Sequence, residues 1–366
     1  MQFCSRPVLR MWFTRPCKVR SPHTTMPSKP ILLSAAALLL ALAAWLWWSA
    51  DRAQVHALGE PLQCALPAQP ASAPYPGMVW VPGGTLQLGD TVYPEELPLR
   101  SVAVQGFWMD RTEVTNAQFA AFVQATGYVT VAEQAVDAKV HPELPPDLRL
   151  PGAVVFISPT DLTGGGNPAQ WWRYLPGANW RHPGGQQTSI EGRGAFPVVN
   201  LTYRDALAFA RWAGRTLPSE AQWEWAARAA AAPTQTEHAQ PAQANTWQGL
   251  FPVSNSAQDG FVGLAPVGCY APNALGLFDM LGNVWEITRD LYLEDHTKLA
   301  PETETADYAG LRPGGGPVAR HVIKGGSFLC APNYCMRYRA GARQAQEDDL
   351  AVSHLGFRTI LQAPGP

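Results

Sequence analysis

The chain has 366 residues, of which 46% are hydrophobic and only 15% charged, and it contains 14 Trp. That apolar content excludes wholesale disorder, and a formal charge of −2 leaves no basic field to gather a nucleic-acid backbone. The 32 Gly and 34 Pro follow no three-residue period, which excludes collagen and predicts short elements joined by long loops. Six cysteines are too few to hold so long a chain as a disulfide miniprotein. At about 150 residues per domain, the length suggests two domains.

Residues 1–29 carry Arg6, Arg10, Arg15, Lys18, Arg20 and Lys29 without an acid and read as a basic cytoplasmic segment. The uncharged Leu/Ala-rich run 30–50, which ends in Trp45, Trp47 and Trp48, is long enough to cross a bilayer as a helix. By the positive-inside rule it is a single-pass inner-membrane signal anchor, with the rest of the chain in the periplasm or otherwise outside the cytoplasm. A signal peptide cleaved near Ala41-Leu42-Ala43 is the alternative, and it leaves the body in the same compartment. Met26 offers a second start just ahead of the run. Residues 51–76, rich in Ala, Pro and Gln, read as a tether, and the folded domain is placed at 77–362.

Within that domain, short apolar stretches broken by Pro82, Gly83 and Gly84 predict strand and turn over 78–88. Phe119, Phe122 and Val123 predict a helix over 116–126, and Ala206, Leu207, Phe209, Ala210 and Trp212 another over 203–214. A third runs from the N-cap Ser219, with Gln222 at the capping-box position, to residue 232. Beyond it, short strands alternate with Gly/Asn/Pro-rich loops.

The stretch Gly325-Gly326-Ser327-Phe328-Leu329-Cys330-Ala331-Pro332-Asn333-Tyr334-Cys335-Met336-Arg337-Tyr338-Arg339 carries the most chemistry. Cysteines five apart point about 140° apart on a helix and to opposite faces of a strand. Their thiols converge only if the chain turns between them, and Pro332-Asn333 is a turn-forming pair. A converging pair fits a disulfide, a soft-metal site such as Cu(I), or a reactive thiol with its resolving partner; an oxidising compartment favours the first. Tetrahedral zinc lacks a second Cys/His cluster.

This block, with Ala342-Arg343 and Leu355-Gly356-Phe357-Arg358, resembles the carboxy-terminal active-site block of the formylglycine-generating enzyme (sulfatase-modifying factor) family. Other blocks match in order, among them Phe107-Trp108-Met109-Asp110 with Glu113-Val114-Thr115-Asn116, and Ala178-Asn179-Trp180-Arg181-His182-Pro183. Arg215-Thr216-Leu217-Pro218-Ser219-Glu220, Asn245-Thr246-Trp247-Gln248-Gly249 and Gly282-Asn283-Val284-Trp285-Glu286 follow. The resemblance implies one catalytic domain over 77–362, with an α+β variant of the C-type-lectin-like fold and little regular structure. It also implies a copper-dependent oxidoreductase that turns the cysteine of a sulfatase Cys-x-Pro-x-Arg segment into Cα-formylglycine with molecular oxygen. The family's Cu(I)-binding cysteines carry over to Cys330 and Cys335, and its active-site serine to Ser327.

Glu113, Asp137, Trp180, Arg337 and Arg343 are the substrate contacts the resemblance implies, while at least one of Arg337, Arg339 and Arg343 suits a structural ion pair better. The family's two structural Ca2+ sites map to Asn245, Thr246, Asp259 and Phe261, and to Asp279, Gly282, Val284 and Glu286. On the residues alone, these loops read as solvated turns. His182 reads as a hydrogen-bonded structural histidine, and His354 replaces a common Asn. Ala340 and Thr359 stand where eukaryotic members carry a disulfide. Cys64 and Cys269 remain, and the place of Cys64 in the tether weighs against their pairing. The implied partners are an exported sulfatase, oxygen and the membrane. Two readings compete: a periplasmic paralogue that oxidises a small molecule such as a siderophore precursor, and a non-catalytic accessory module.

Overall fold

Glycine and proline cut the chain into strands of two to seven residues, and the computed structural model of the protein reveals what these pieces assemble into. It describes residues 64–69, 73–139, 142, 144–160, 170–229, 239–294, 319–362 and 364–365. The chain divides into Met1–Gly59 and Glu60–Pro366, and every described residue belongs to the second unit. The expected basic segment, the membrane run and the first part of the tether lie outside the described residues. Among the described residues, no helix is long and apolar enough to cross a membrane.

The strand and turn predicted near the start form β1 (Met78–Val81) and β2 (Gly84–Leu88). β2 pairs with β3 (Arg100–Val104) as a hairpin. β1 lies antiparallel to β4 (Phe107–Asp110), whose other edge takes β11 (Ile360–Leu361), so one sheet joins the two ends of the domain. A second hairpin pairs β5 (Gly152–Phe156) with β6 (Trp172–Pro176). The largest sheet sets β7 (Trp285–Leu291) between the parallel β10 (Leu355–Gly356) and the antiparallel β8 (Arg320–Lys324), which pairs in turn with β9 (Arg343–Glu347).

Helix α1 (Asn116–Thr126) has the span predicted, and Thr115 and Gln118 form a reciprocal capping box at its start. α2 (Tyr203–Trp212) buries Ala206, Phe209 and Ala210 at the helical spacing that predicted it. α3 (Glu220–Ala227) is capped by Ser219 and Gln222 as read, but it stops at Arg228, ahead of residue 232. Arg228 folds back on Glu224 and on the Gly89 carbonyl, and Ala229 takes φ 53, which breaks the right-handed ladder.

Two apolar clusters form the interior. α1, α2, β7 and β8 enclose Phe119, Phe209, Trp285, Ile323 and Phe357, and Cys330, Cys335 and Tyr338 pack into the same cluster. β1 to β4 and α3 contribute the second through Val81, Leu86, Phe107, Met109 and Trp223. Buried ion pairs join the elements: Arg358 with Glu286, Lys324 with Glu224, and Arg343 with Glu220.

Cys64 is bonded to Cys269, against the weight placed on its tether position. Arg111 donates to the Pro67 carbonyl (2.8 Å), and the Gln69 side chain spans Gly77 N and Met78 O (2.6 and 2.7 Å). The folded part thus reaches back to Cys64, ahead of the Gly77 start. An Ala/Pro-rich composition reports a tether only where nothing pins the chain, and here a disulfide does.

Candidate active site

Past Lys324 the chain leaves β8 through Gly325 and Gly326. A Cβ on Gly326 (φ 75) would stand 2.8 Å from Arg337 O, so the return of the loop upon itself requires glycine. Ser327 O then accepts from Cys330 N (2.9 Å), and Ala331 O accepts from Tyr334 N and Cys335 N (3.1 and 3.0 Å). The turn at Pro332-Asn333 brings Cys330 Sγ to 2.9 Å from Cys335 Sγ. Neither cysteine is in a disulfide, and they are only 1% and 8% exposed. Ser327 is buried in the same loop, its Oγ accepting from Leu329 N (3.3 Å). The turn is fixed from outside by Asn333 Nδ2 donating to Phe251 O (3.1 Å) and Trp247 N donating to Cys330 O (3.0 Å). Trp171, Trp247, Phe251, Leu329 and Ala331 pack as a small apolar cluster, and the exposed Tyr334 stacks on Phe251 with centroids 4.3 Å apart.

The two sulfurs are electrostatically unequal. Burial, then the bond to Cys335, push the Cys330 thiol well above its ordinary range. The same bond brings Cys335 down to about 7, with the Arg337 cation assisting. Among the described residues, no group of three or more His, Cys, Asp or Glu side chains is placed to hold a metal. What remains is a buried two-sulfur donor set, which fits soft, low-coordinate Cu(I) and fits neither tetrahedral zinc nor a hard cation.

Arg337 lies over the Tyr93 ring (4.0 Å to the centroid) and pairs with Glu95. Arg339 is buried between Asp90 and Glu96. Arg343 is fully buried and grips Glu220 with Nε and Nη2 (2.8 and 3.2 Å), so it is withdrawn from the substrate contacts expected of it. Glu113 is withdrawn too: it is 0% exposed, and its Oε1 accepts from Asn283 Nδ2 (3.0 Å). Trp180 is buried, packed edge-on against Phe119 at 5.2 Å, and serves the core. Asp137 is exposed, its Oδ1 accepting from Lys139 N (2.8 Å). His182 is held as expected, with Nδ1 on the Thr188 carbonyl (2.6 Å).

Asp259 gathers the first of the two oxygen-rich sets, its carboxylate accepting from Thr246 N and Phe261 N (3.0 and 3.2 Å). Neighbouring Asn245 exchanges bonds with Asn283, which joins this loop to the turn that precedes β7. A Cβ on Gly282 (φ 81) would meet Asn245 O at 2.3 Å, so glycine is required where the two loops touch. In the second set the Glu286 carboxylate is already occupied. Arg358 Nε and Trp223 Nε1 donate to one oxygen and Arg358 Nη2 to the other, each at 2.7 Å. Three of its roughly four lone-pair sites are thus taken, which leaves about one for a cation. Asp279 Oδ1 and Glu113 Oε2, in contrast, are buried and receive no hydrogen bond. Burial, then the charge of Asp279, push Glu113 well above the carboxylate range, and burial lifts Asp279 to about 6. Glu113 thus keeps its proton beside Asp279, and the two groups offer a hard donor set only once that proton is displaced.

His354 stands edge-on to Trp172 (4.7 Å), with Nδ1 buried and unpartnered, and burial lowers it to about 3. The unfolded chain takes up this proton near pH 6.5 and the folded chain only near pH 3. The neutral ring therefore contributes stability that is complete above pH 6.5 and is lost as the pH falls through that window. Relative to the wild type, His354→Asn will flatten the fall in urea midpoint between about pH 6.5 and pH 4. Parallel profiles for the two proteins would refute a buried neutral imidazole.

An α+β domain of few helices and mixed sheets, with paired thiols buried under a turn, is the class that fold and site define. The model of the family described as "Sulfatase-modifying factor enzyme 1-like domain" matches residues 63–363. The chain is 46% identical over 292 residues to the formylglycine-generating enzyme of Mycobacterium tuberculosis, which covers 77% of this chain and 97% of that one. It is 39% identical to the formylglycine-generating enzyme of Mus musculus over 77% of this chain and 74% of the other. A relative named inactive Cα-formylglycine-generating enzyme 2, also from Mus musculus, is 34% identical over 80% of this chain and 87% of its own. The solved structure of PvdO from Pseudomonas aeruginosa shares the fold, with a TM-score of 0.50 and 24% identity over 77% of this chain and 93% of that one. The chain belongs to the formylglycine-generating enzyme (sulfatase-modifying factor) family.

Proposed function

We propose that the protein oxidises the cysteine of a sulfatase Cys-x-Pro-x-Arg segment to Cα-formylglycine, with Cu(I) held by Cys330 and Cys335 and molecular oxygen as oxidant. The observation that carries this reading is the approach of two buried, unbridged thiols to 2.9 Å on a turn braced from outside. The relatives named formylglycine-generating enzymes support the conversion. Because a relative named inactive also matches, membership of the family does not by itself decide activity, and the thiol pair is the feature that favours an active enzyme over an accessory module.

Bound copper supplies the one-electron and oxygen chemistry that side chains lack. The chain's own part is to converge the sulfurs, to set the Arg337 charge beside Cys335, and to keep water from the pair with its aromatic cluster. The test is to incubate the copper-loaded chain with a Cys-x-Pro-x-Arg peptide and oxygen. The product should be lighter by about 18 Da, the difference between thiol and aldehyde. An unchanged peptide, with the chain folded and copper-bound, would refute the activity.

Two Ca2+ ions would serve structure. Asn245, Thr246, Asp259 and Phe261 would hold the first, and Asp279, Gly282, Val284 and Glu286, with Glu113 beside them, the second. Calcium there would relieve the repulsion of two buried carboxylates, so chelation should lower the melting temperature and added calcium should restore it. A melting temperature indifferent to both would remove the ions from the account. The domain would act outside the cytoplasm, anchored by the run 30–50, and the Cys64–Cys269 disulfide suits such an oxidising compartment.

A further inference from the structure

The loop 247–256 is closed upon itself beside the cysteine turn. Trp247 Nε1 donates to Ser254 O (2.9 Å), Ser254 N to Leu250 O (2.9 Å), and Ser256 N and Oγ to Gln248 O (2.7 and 2.9 Å). Gly249 takes φ 133, where a Cβ would stand 2.7 Å from Ser254 O, so the closure requires glycine. From outside, Ser158 Oγ donates to Pro252 O (2.6 Å). A loop held in this way presents backbone groups at fixed positions, and the cysteine turn uses three of them. Trp247 N donates to Cys330 O (3.0 Å), Asn333 Nδ2 donates to Phe251 O (3.1 Å), and Asn333 Oδ1 accepts from Phe251 N (3.4 Å). Asn333 is exposed, so water could satisfy its amide, and burial does not require the bonds to Phe251.

We propose that Asn333 is a positioning residue of the two-sulfur site, whose amide docks the turn on the Phe251 backbone and so sets how Cys330 and Cys335 face each other. The inference rests on the two cysteines acting as a pair toward copper. The turn's own bonds, from Tyr334 N and Cys335 N to Ala331 O, fix Cys335 relative to Ala331 but leave the joint between Cys330 and Ala331 open. Docking Cys330 O and Asn333 on one loop closes that joint, because the span from Trp247 N to the Phe251 backbone is set by the loop and not by the turn. Two sulfurs held together beforehand lose less freedom when both bind one soft atom.

Asn333→Ala and Asn333→Asp separate turn preference from docking. Aspartate keeps the size, the turn preference and the acceptor for Phe251 N, but as a carboxylate it cannot donate to Phe251 O. The full chain and both variants are titrated with Cu(I), in competition with a chromophoric chelator, and separately with phenylarsine oxide, whose As(III) takes two thiols at once. Cys330→Ser is the blank for Cys4 and Cys17. Each variant should bind both probes about threefold to tenfold more weakly than the wild type, the size of one net hydrogen bond. Melting temperatures should fall by no more than about 3 °C, since an exposed amide adds little to stability. Wild-type arsenical affinity in either variant overturns the proposal. So does a larger fall in melting temperature, which would make Asn333 a residue of the fold. Should the wild type take up the arsenical but no Cu(I), the copper reading fails, and the arsenical comparison alone decides the positioning role. Should it take up neither beyond the blank, the thiols do not converge and the proposal is overturned.

Discussion

Cys330→Ser and Cys335→Ser will each lower formylglycine formation by at least about 10³-fold, and the double substitution will be no worse than either alone. Serine keeps nearly the volume of cysteine, so the buried turn is retained, but it replaces a soft, acidic sulfur with a hard oxygen that keeps its proton. The two sulfurs act as a unit. One hydrogen bond joins them, and the lowered pKa of Cys335 arises first from that bond, so losing Cys330 also removes what brings Cys335 toward the thiolate. Groups that act as a unit give non-additive losses. The measurement is the mass of the peptide product together with the Cu(I) content of each variant. A single variant that keeps more than about a tenth of wild-type activity would sink the two-sulfur site.

What the sequence makes legible here follows from the range of the interactions. α1, α2 and the start of α3 are local, written in apolar spacing and in the Thr115–Gln118 and Ser219–Gln222 boxes, and the structure has them where they were read. The convergence of Cys330 and Cys335 is local too, because a turn-forming pair lies between them. The partners of Arg337 are not. Glu95 lies 242 positions away, in a connection with no periodicity and no motif, and only the folded chain brings the two together. The matching blocks mislead in the opposite direction. Glu113 and Arg343 belong to strings that look functional, but a string carries no burial, and both side chains are turned into the interior. Cys64 is misread for a related reason: composition describes the chain around it and not the sulfur waiting at Cys269.

Arg358→Ala will destabilise the domain by about 3 to 5 kcal/mol, the cost of leaving a buried charge without its partner. The guanidinium is 0% exposed and bonds both oxygens of Glu286, and its Nη2 also reaches the Phe278 carbonyl (2.9 Å). Nη1 reaches Asp110 O (3.2 Å) at the end of β4, so one side chain ties the central sheet strand β7 to the sheet that joins the ends of the domain. Its charge is also felt by Glu113 and Asp279, so its removal takes away the arginine that offsets three neighbouring buried carboxyl groups. Arg358→Lys should recover only part of the loss, because an ammonium cannot bond both carboxylate oxygens and the carbonyls in one plane. Urea unfolding, extrapolated to water, reads the difference. A loss below about 1 kcal/mol would mean that the pair is solvated and not buried. The hydrogen bonds of Arg358 go to Glu286, Asp110, Arg111 and Phe278, and none goes to the cysteine turn. Its removal should therefore lower the fraction folded and leave the KM and kcat of the folded remainder unchanged, whereas the cysteine variants stay folded and lose the chemistry.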